Sequence, residues 1–244
     1  MKKTIIVMPV ANEESTMEKV IREILQLPYE DLALYVIMDS YSTDGTADIV
    51  KRYEKETAGK IRYIFYEKSF GVISCYLEGF RRALADRAEW IIEMDGGGSH
   101  SPAEIPQFIE GLAAGYDCIW GSRFIKGGDI SNHPLYRRIL SSGGTVLANL
   151  VLGTKLKDMT SGFEGFQAHI LADMNLNNFL SKGHMYQTEM RYYCRNYHTK
   201  EVPIHYIGSE SGLKLRSVTE ALRILFQLKK NEKRVMKERG NGEV

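Results

Sequence analysis

A carboxylate followed by three glycines is the part of this sequence best suited to chemistry. The stretch reads Glu93-Met-Asp-Gly-Gly-Gly-Ser-His100. The apolar run before it predicts a buried strand, so Asp95 comes at the carboxyl end of that strand, where open α/β sheets bind their ligands. Glycines let backbone amides approach an anion closely, and Ser101-Pro102 predicts the start of a helix. These features suit a diphosphate, bound directly or through a metal; the alternative is a glycine-rich turn with a solvated aspartate.

The elements around Asp95 alternate between apolar strands and amphipathic helices. Asp39 ends the second strand much as Asp95 ends the fourth, and the residues after it, 42–46, are rich in helix-capping types. This βαβαβαβαβ order predicts an α/β fold with a mostly parallel sheet and helices on both faces. The predicted strands are Thr4–Met8, Leu32–Met38, Ile61–Tyr66, Ala88–Met94 and Tyr116–Trp120. The predicted helices between them are Asn12–Leu27, Ala47–Lys55, Gly71–Ala85 and Ala103–Ala114.

The pattern changes after Gly121, and we expect the second half to cap the first within one domain of residues 1–244. The first half is 1–123 and the second is 124–244. Pro203 falls in a run of alternating residues, which predicts a strand at a sheet edge because proline cannot donate to a neighbour. The predicted elements of this half are a helix at Leu135–Leu152, a strand at Glu164–Gln167, a helix at Tyr186–Tyr197, the edge strand at Lys200–Ile207 and a helix at Ser217–Lys237.

Bulk composition excludes several classes of protein. The chain has 244 residues, 43% hydrophobic and 26% charged, which is ordinary for a globular protein. No apolar run reaches the roughly 18 residues of a membrane-spanning helix, and the first residues run straight into a strand, so we expect no signal peptide. The three cysteines, Cys75, Cys118 and Cys194, form neither a zinc pattern nor a disulfide framework, which predicts a cytoplasmic protein.

The C-terminal end is basic, with nine Lys or Arg and three Glu between Lys214 and Arg239. Such a segment is either a solvated helix face or a surface for an anionic partner. The anionic partners considered are a membrane surface, a lipid phosphate and nucleic acid, of which nucleic acid is the less favoured. A basic amphipathic helix can lie on a membrane, so we expect the protein in the cytoplasm or peripherally at the membrane surface.

Seven short motifs in one order resemble those of glycosyltransferase family two, and within it the dolichyl-phosphate mannose synthase group. The resemblance extends from Ile5 to about Leu228. It implies a GT-A fold, a nucleotide-sugar donor and inversion at the sugar carbon. A polyprenyl-phosphate type of acceptor is favoured because Arg123, Arg137 and Ser141 match positions that the group uses around the acceptor phosphate. The motifs are Pro9-Val-Ala-Asn-Glu13, Asp39-Ser-Tyr-Ser-Thr-Asp-Gly-Thr46, Met94-Asp95, Gly121-Ser-Arg123, Arg137-Arg138 with Ser141, Thr160-Ser-Gly-Phe163 and Gln187-Thr-Glu-Met190.

The resemblance also implies roles for individual residues. Asp95 would contact the donor and a divalent metal, Mg²⁺ or Mn²⁺, and the implied catalytic residues are Asp95, Arg123 and Glu189. The implied nucleotide-sugar ligands are Pro9, Asn12, Glu13, Asp39, Asp44, Gly71, Asp95, Gly96 and Gly97. The implied acceptor ligands are Arg137, Arg138, Ser141, Gln187 and Lys214.

The sequence departs from the family pattern on the ligand side. Gly97 stands where the family has a second aspartate, and Ser99 stands where a glutamine is common. Ser40 and Tyr41 replace a paired aspartate and a glycine, and Lys214 survives from a motif that has lost its arginine and serine. Mg²⁺ can be held by one carboxylate with phosphates and water, so we expect weak, donor-dependent metal binding; metal independence is the alternative. We expect His100 at the surface or behind the ligands of the metal.

The acceptor decides which groups must do chemistry. A lipid phosphate is already anionic, so it needs cations such as Arg123, Arg137 and Lys214 but no general base. A hydroxyl on a glycan or nucleic-acid base needs a carboxylate instead, for which Glu189 and Asp158 are candidates, although Asp158 has the alternative role of capping the turn before Thr160. A third possibility is a non-catalytic nucleotide-binding relative. A Rossmann dehydrogenase is disfavoured because no G-x-G-x-x-G follows the first strand.

Overall fold

The computed structural model describes residues 2–131, 135–183, 185–208 and 215–231, with the side chains of 135–137 and 215–218 outside that description. Within these ranges the strands and helices alternate as predicted through the first half. The strands are β1 (Thr4–Val10), β2 (Leu32–Asp39), β3 (Ile61–Tyr66), β4 (Trp90–Glu93), β5 (Cys118–Ser122), β6 (Asp129–Ser131), β7 (Glu164–Gln167), β8 (Thr199–Pro203) and β9 (His205–Ile207). The α-helices are α1 (Glu14–Leu25), α2 (Thr46–Glu56), α3 (Val72–Ala85), α4 (Ile105–Ala113), α5 (Leu135–Leu152), α6 (Ala168–Ala172), α7 (Tyr186–Tyr193) and α8 (Leu215–Lys230).

Seven strands form the main sheet, in the order β3-β2-β1-β4-β7-β5-β8. β1 is parallel to both β2 and β4, and all seven of its residues are buried, as expected for a central strand covered on both faces. β7 is the exception, because it runs antiparallel to β4 and to β5. The predicted α/β class with a mostly parallel sheet is therefore confirmed. The second half supplies β7 and β8, so both halves contribute to one sheet.

Apolar side chains alternate between the two faces of the central strands and create two core layers. Ile6 and Met8 point to one layer with residues of α1, α2 and α4. Ile5 and Val7 point to the other with residues of α3, α6 and α7. A smaller cluster joins α5, α7 and α8 through residues that include Ala148, Tyr192 and Leu225. Helices thus cover both faces of the sheet, and α5 with α8 forms an outer layer on the second half.

The predicted edge strand Lys200–Ile207 is wrong in one respect, because the chain divides there into two strands of two different sheets. β8 forms the edge of the main sheet beside β5, and β9 pairs with β6 in a separate two-stranded sheet. The change of sheet occurs at Ile204, whose N–H still donates to the carbonyl of Ser122 on β5 at 3.1 Å while its carbonyl accepts from the N–H of Asp129 on β6 at 3.0 Å. Helix α7 also ends at Tyr193, earlier than the predicted Tyr197.

No helix among the described residues is both long and apolar enough to span a membrane.

Candidate active site

Asp39 and Asp95 lie at the carboxyl edge of the parallel strands. β2 ends at Asp39, and β4 ends two residues before Asp95. Asp39 is buried, and its Oδ1 accepts a hydrogen bond from the backbone N–H of Tyr41 at 3.0 Å. The Asp95 side chain is 38% exposed. The structure therefore leaves the carboxylate of Asp95 open to a ligand and uses one oxygen of Asp39 to hold the turn after β2.

Two neighbours hold Asp95. The hydroxyl of Tyr76, on α3, donates to Asp95 Oδ1 at 2.6 Å, and the backbone N–H of Asp95 donates to Nδ1 of His100 at 3.1 Å. His100 is buried, with its ring 4.9 Å from that of Phe163 and 5.5 Å from that of Tyr206. The surface position expected for His100 is therefore wrong. Burial lowers the pKa of its imidazole, which fits a neutral ring accepting at Nδ1.

Hydrogen bonds from backbone N–H groups to side-chain oxygens join the loop after β1 to the loop after β2. Asn12 has a left-handed backbone (φ 58°), and its Oδ1 accepts from the backbone N–H of Thr43 at 2.9 Å. Asp44 accepts from the backbone N–H of Glu14 through Oδ2 and from that of Thr46 through Oδ1, both at 3.0 Å. Asn12 and Asp44 thus join the two loops of the predicted nucleotide pocket. Both oxygens of Asp44 accept hydrogen bonds from backbone N–H groups at the starts of α1 and α2.

Glu13 fills the space beside Gly97. A Cβ atom at Gly97 would lie 2.8 Å from Glu13 Oε1. The family has its second aspartate at position 97, so here the carboxylate of Glu13 lies next to that position. Burial raises the pKa of Glu13, and the negative charges of Asp95 and Asp44 raise it further. A cation would relieve that repulsion.

These oxygens fit a hard divalent ion such as Mg²⁺ or Mn²⁺. In the part of the chain that the structure describes, no group of three or more His, Cys, Asp or Glu side chains could hold a metal. Asp95 and Glu13 could therefore supply only part of a coordination shell. The remaining ligands would come from the donor phosphates and water, as Mg²⁺ commonly permits.

Gly162, in the Thr160-Ser-Gly-Phe163 segment, is bordered by both Gln187 and Asp95. Around Gly162, a Cβ atom would lie 3.3 Å from Gln187 Nε2 and 3.8 Å from Asp95 Oδ1. Gln187 is half-buried in the first turn of α7. A predicted acceptor ligand and the predicted donor ligand therefore both border Gly162, although 92 positions separate them in the chain.

Arg123 forms a buried ion pair. Its Nε and Nη2 donate to Asp158 Oδ2 and Oδ1 at 2.7 and 2.8 Å, and Nη2 also donates to Thr160. Burial alone would raise the pKa of Asp158, but the hydrogen bonds and charge of Arg123 outweigh it and lower that pKa to about 2. Asp158 also accepts from the backbone N–H of Thr160, as the capping alternative predicted. The charge of Arg123 is thus largely balanced within the protein.

Glu189 is fully buried at the start of α7. Its oxygens accept from the backbone N–H groups of Leu180 and Ser181, both at 2.8 Å, and from the hydroxyl of Tyr193 at 2.6 Å. Burial raises its pKa, and these hydrogen bonds oppose the rise. The carboxylate holds the 180–181 turn against α7, and its catalytic role stays a prediction.

The remaining predicted ligands are dispersed. Gly71 precedes α3 with φ 115°, and Pro9 is buried in β1. Arg138 is exposed and lies 3.5 Å from Asp129 in an ion pair, while Ser141 is half-buried one turn further along α5. The side chain of Arg137 and the whole of Lys214 lie outside the described residues.

A buried cluster of three charged side chains behind the site was not predicted from the sequence. Glu93 and Glu164 are paired across β4 and β7, and Arg191 forms an ion pair with Glu164. Burial, then the charge of Glu164, raises the pKa of Glu93 well above its usual value, and burial against the opposing Arg191 raises that of Glu164 to about 7. The available signal was a glutamate at the end of one predicted strand and another at the start of a second, because charged residues are rarely buried unpaired.

Comparison with known proteins identifies the family. The family model described as Glycosyl transferase family 2 matches residues 5–174. The chain belongs to glycosyltransferase family 2. The resemblance carried by the seven motifs is thereby confirmed, and the protein is a transferase.

Two curated relatives extend the match of this family 2 glycosyltransferase along the chain. It is 25% identical over 229 residues to the polyprenol monophosphomannose synthase of Mycolicibacterium smegmatis, and the matched region covers 93% of this chain and 86% of the relative. It is 30% identical over 241 residues to the dolichol-phosphate mannosyltransferase of Pyrococcus furiosus, which covers 94% of this chain and 64% of the relative. The predicted likeness to the dolichyl-phosphate mannose synthase group is confirmed.

A solved structure shares the fold of this family 2 member. Glucosyl-3-phosphoglycerate synthase from Mycobacterium tuberculosis, in complex with Mn²⁺, UDP-glucose and glycerol 3-phosphate, superposes with a TM-score of 0.65 at 15% identity, covering 95% of this chain and 79% of that one. At that identity the likeness shows the fold alone, and the predicted GT-A architecture is confirmed.

Proposed function

We propose that this glycosyltransferase moves a hexose from GDP- or UDP-hexose to a polyprenyl phosphate, with inversion at the sugar carbon. The observation that carries the proposal is that Asp95 and Gln187, which we assign to the donor and the acceptor, both lie within 4 Å of the position that a Cβ atom at Gly162 would take. The names of both relatives, a polyprenol monophosphomannose synthase and a dolichol-phosphate mannosyltransferase, support this class of acceptor.

The donor side has to stabilise the departing nucleoside diphosphate. Negative charge grows on that group in the transition state, so a cation placed there beforehand contributes strongly to catalysis. Asp95 and Glu13 are the residues we assign to hold a divalent ion, which neutralises the diphosphate when bound. Asn12 and Asp39 shape the pocket for the nucleoside, through the loops that they hold together.

The acceptor side favours a nucleophile that is already ionised. Asp158 is paired with Arg123, and both oxygens of Glu189 accept hydrogen bonds from the protein. A hydroxyl acceptor would need one of these carboxylates as a base, and both already bind partners within the protein. A phosphate needs no base, only positioning and charge neutralisation, which we assign to Gln187, Arg137, Arg138, Ser141 and Lys214.

Helices α5 and α8 offer a surface for a lipid. Ile139, Val146 and Leu150 are 60%, 59% and 77% exposed, and their spacing puts them on one face of α5. Phe226 on α8, which packs against α5, is 62% exposed, and Lys229 with Lys230 ends that helix. An apolar face flanked by cations suits anionic membrane, so we propose peripheral attachment here, next to the acceptor site.

The test is transfer of radiolabelled sugar from a panel of GDP- and UDP-hexoses to undecaprenyl phosphate in detergent, with and without Mn²⁺. Label in the organic phase, dependent on the lipid phosphate, supports the proposal. Label in an aqueous glycan or nucleic acid would assign a hydroxyl acceptor instead. Binding of nucleotide without turnover on any acceptor would identify a non-catalytic relative.

A further inference from the structure

Tyr76 is a buried tyrosine whose hydroxyl contacts the open carboxylate of the site. Its side chain is 1% exposed, and the 2.6 Å bond to Asp95 Oδ1 has the length typical of a hydroxyl donating to an ionised carboxylate. Nδ1 of His100 is 3.9 Å from Asp95 Oδ2, too far for a hydrogen bond. The Tyr76 hydroxyl is therefore the side-chain group that, within the described part of the chain, fixes the Asp95 carboxylate.

The ring of Tyr76 packs against two other aromatic rings. It stacks on the ring of Tyr186 at 6.1 Å with an interplanar angle of 5°, and on that of Phe80 at 6.3 Å. The Tyr186 hydroxyl donates to Oε2 of the buried Glu93 at 3.2 Å. Because both tyrosines are locked in the core, the Tyr76 hydroxyl cannot turn away from Asp95 without opening that core.

Two neighbouring residues of helix α7 lie near Asp95. Tyr186, its first residue, stacks on Tyr76, and Gln187 borders Gly162 as Asp95 does, with a Cβ atom there 3.3 Å from Gln187 Nε2 and 3.8 Å from Asp95 Oδ1. The orientation of the donor-side carboxylate is thus tied to the helix that carries the acceptor-side amide.

We propose that Tyr76 is a positioning residue for Asp95: its hydroxyl fixes Oδ1 and leaves Oδ2 available to the cation that accompanies the donor diphosphate. The inference rests on the proposed function and adds to it a residue that touches neither substrate. Groups that orient a ligating carboxylate typically contribute about 10–100-fold to metal affinity or activity.

The test is Tyr76→Phe, which keeps the ring stack and removes the donor. UDP and GDP are titrated by calorimetry with and without Mn²⁺, and Mn²⁺ alone is titrated by electron paramagnetic resonance. We expect Mn²⁺ affinity, alone and with nucleotide, to fall about 10–100-fold while metal-free nucleotide affinity and the melting temperature stay unchanged. The matched control is Tyr35→Phe, because that buried hydroxyl donates to Asp86 Oδ2 at 2.7 Å, outside the site, and should change none of the affinities.

Wild-type Mn²⁺ affinity in Tyr76→Phe overturns the inference. If the variant is also less stable, the same substitution in an Asp95→Asn background decides: a positioning role predicts no further loss of Mn²⁺ affinity there, and an equal further loss overturns it. If the wild type binds no nucleoside diphosphate, the proposed function fails, and the Mn²⁺ titration still tests Tyr76. If the wild type binds neither a nucleoside diphosphate nor Mn²⁺, both the proposed function and the positioning role of Tyr76 fail.

Discussion

Asp95 is the residue on which the proposed donor chemistry depends. Replacing it with alanine removes the exposed carboxylate and leaves the Tyr76 hydroxyl without its acceptor. We expect Asp95→Ala to lower the transfer rate by about 100-fold or more, the usual effect of removing one group that stabilises charge in a transition state. The measurement is the initial rate of sugar transfer at saturating donor. Asp173→Ala, an exposed aspartate after α6, is the control and should retain the wild-type rate; a wild-type rate in Asp95→Ala would remove Asp95 from the mechanism.

A side chain introduced at position 97 would compete with Glu13 for space, and an acidic one would also repel its carboxylate. Gly97→Asp restores the spacing of two aspartates that the family has, but its Cβ would press on Glu13 Oε1 and add a negative charge beside Asp95. The Glu13 carboxylate is the end of a flexible side chain and can move aside, so the main penalty is the repulsion between like charges. We expect the free energy of unfolding to fall by roughly 0.2–1 kcal/mol and Mn²⁺ affinity not to rise.

The double variant Glu13→Ser with Gly97→Asp provides the control for that prediction. Shortening Glu13 makes room for the new side chain, so stability should return and Mn²⁺ affinity should rise above that of Gly97→Asp alone. Urea unfolding and Mn²⁺ titration measure both quantities. Tighter Mn²⁺ binding by Gly97→Asp without the second change would show that Glu13 does not occupy that space.

At the scale of elements, the Arg123–Asp158 pair joins the end of β5 to the loop before β7. Both side chains are buried, so Asp158→Asn leaves an uncompensated guanidinium and should cost about 3–5 kcal/mol of unfolding free energy at pH 7. The folded pKa of Asp158, about 2, lies below its ordinary value of 3.8. Its ionised form therefore stabilises the protein above pH 4, and that stabilisation is lost as the pH falls through 2.

The pH dependence gives the measurement. The difference in unfolding free energy between wild type and Asp158→Asn should be constant from pH 7 to about 4 and shrink below it, by an amount on the order of 2 kcal/mol for the pKa difference. Glu201→Gln is a useful control, since Glu201 accepts from the backbone N–H of Asp158 at 3.0 Å but has no ion pair with Arg123. A difference that does not change between pH 5 and pH 3 would contradict the ion pair.

For the whole molecule, the α5–α8 surface predicts attachment to anionic membrane. Each apolar side chain that leaves water contributes about 1.5–3 kcal/mol, so Leu150→Asp with Phe226→Asp should lower the vesicle-bound fraction at least tenfold. The measurement is co-sedimentation with vesicles that contain phosphatidylglycerol, and high salt should weaken the binding because it screens the lysines. Phe65→Asp changes an apolar residue that is 53% exposed on β3 and should have no effect; equal loss in that control would exclude a specific surface.

Local patterns in the sequence were enough to predict most of the elements and the position of Asp95 at the carboxyl edge of the sheet. Alternation of apolar runs and amphipathic helices predicts β1 to β5, and an acid at a strand end predicts Asp95, because both signals depend on neighbours a few residues apart. The division of Lys200–Ile207 between two sheets was missed, because which strand pairs with β9 depends on the position of β6, over 70 residues earlier.

Sequence alone therefore determined the family, the α/β class and a carboxylate at the edge of the sheet. Only the tertiary structure decided what that carboxylate and its neighbours touch: Tyr76 on Asp95, Glu13 against Gly97, and Asp158 on Arg123 rather than open to an acceptor. The physical reason is the separation along the chain of the residues that each feature depends on. Strand and helix formation follow from local periodicity and turn residues, whereas these contacts join segments 19 to 84 positions apart, and only the packing of the whole chain brings such segments together.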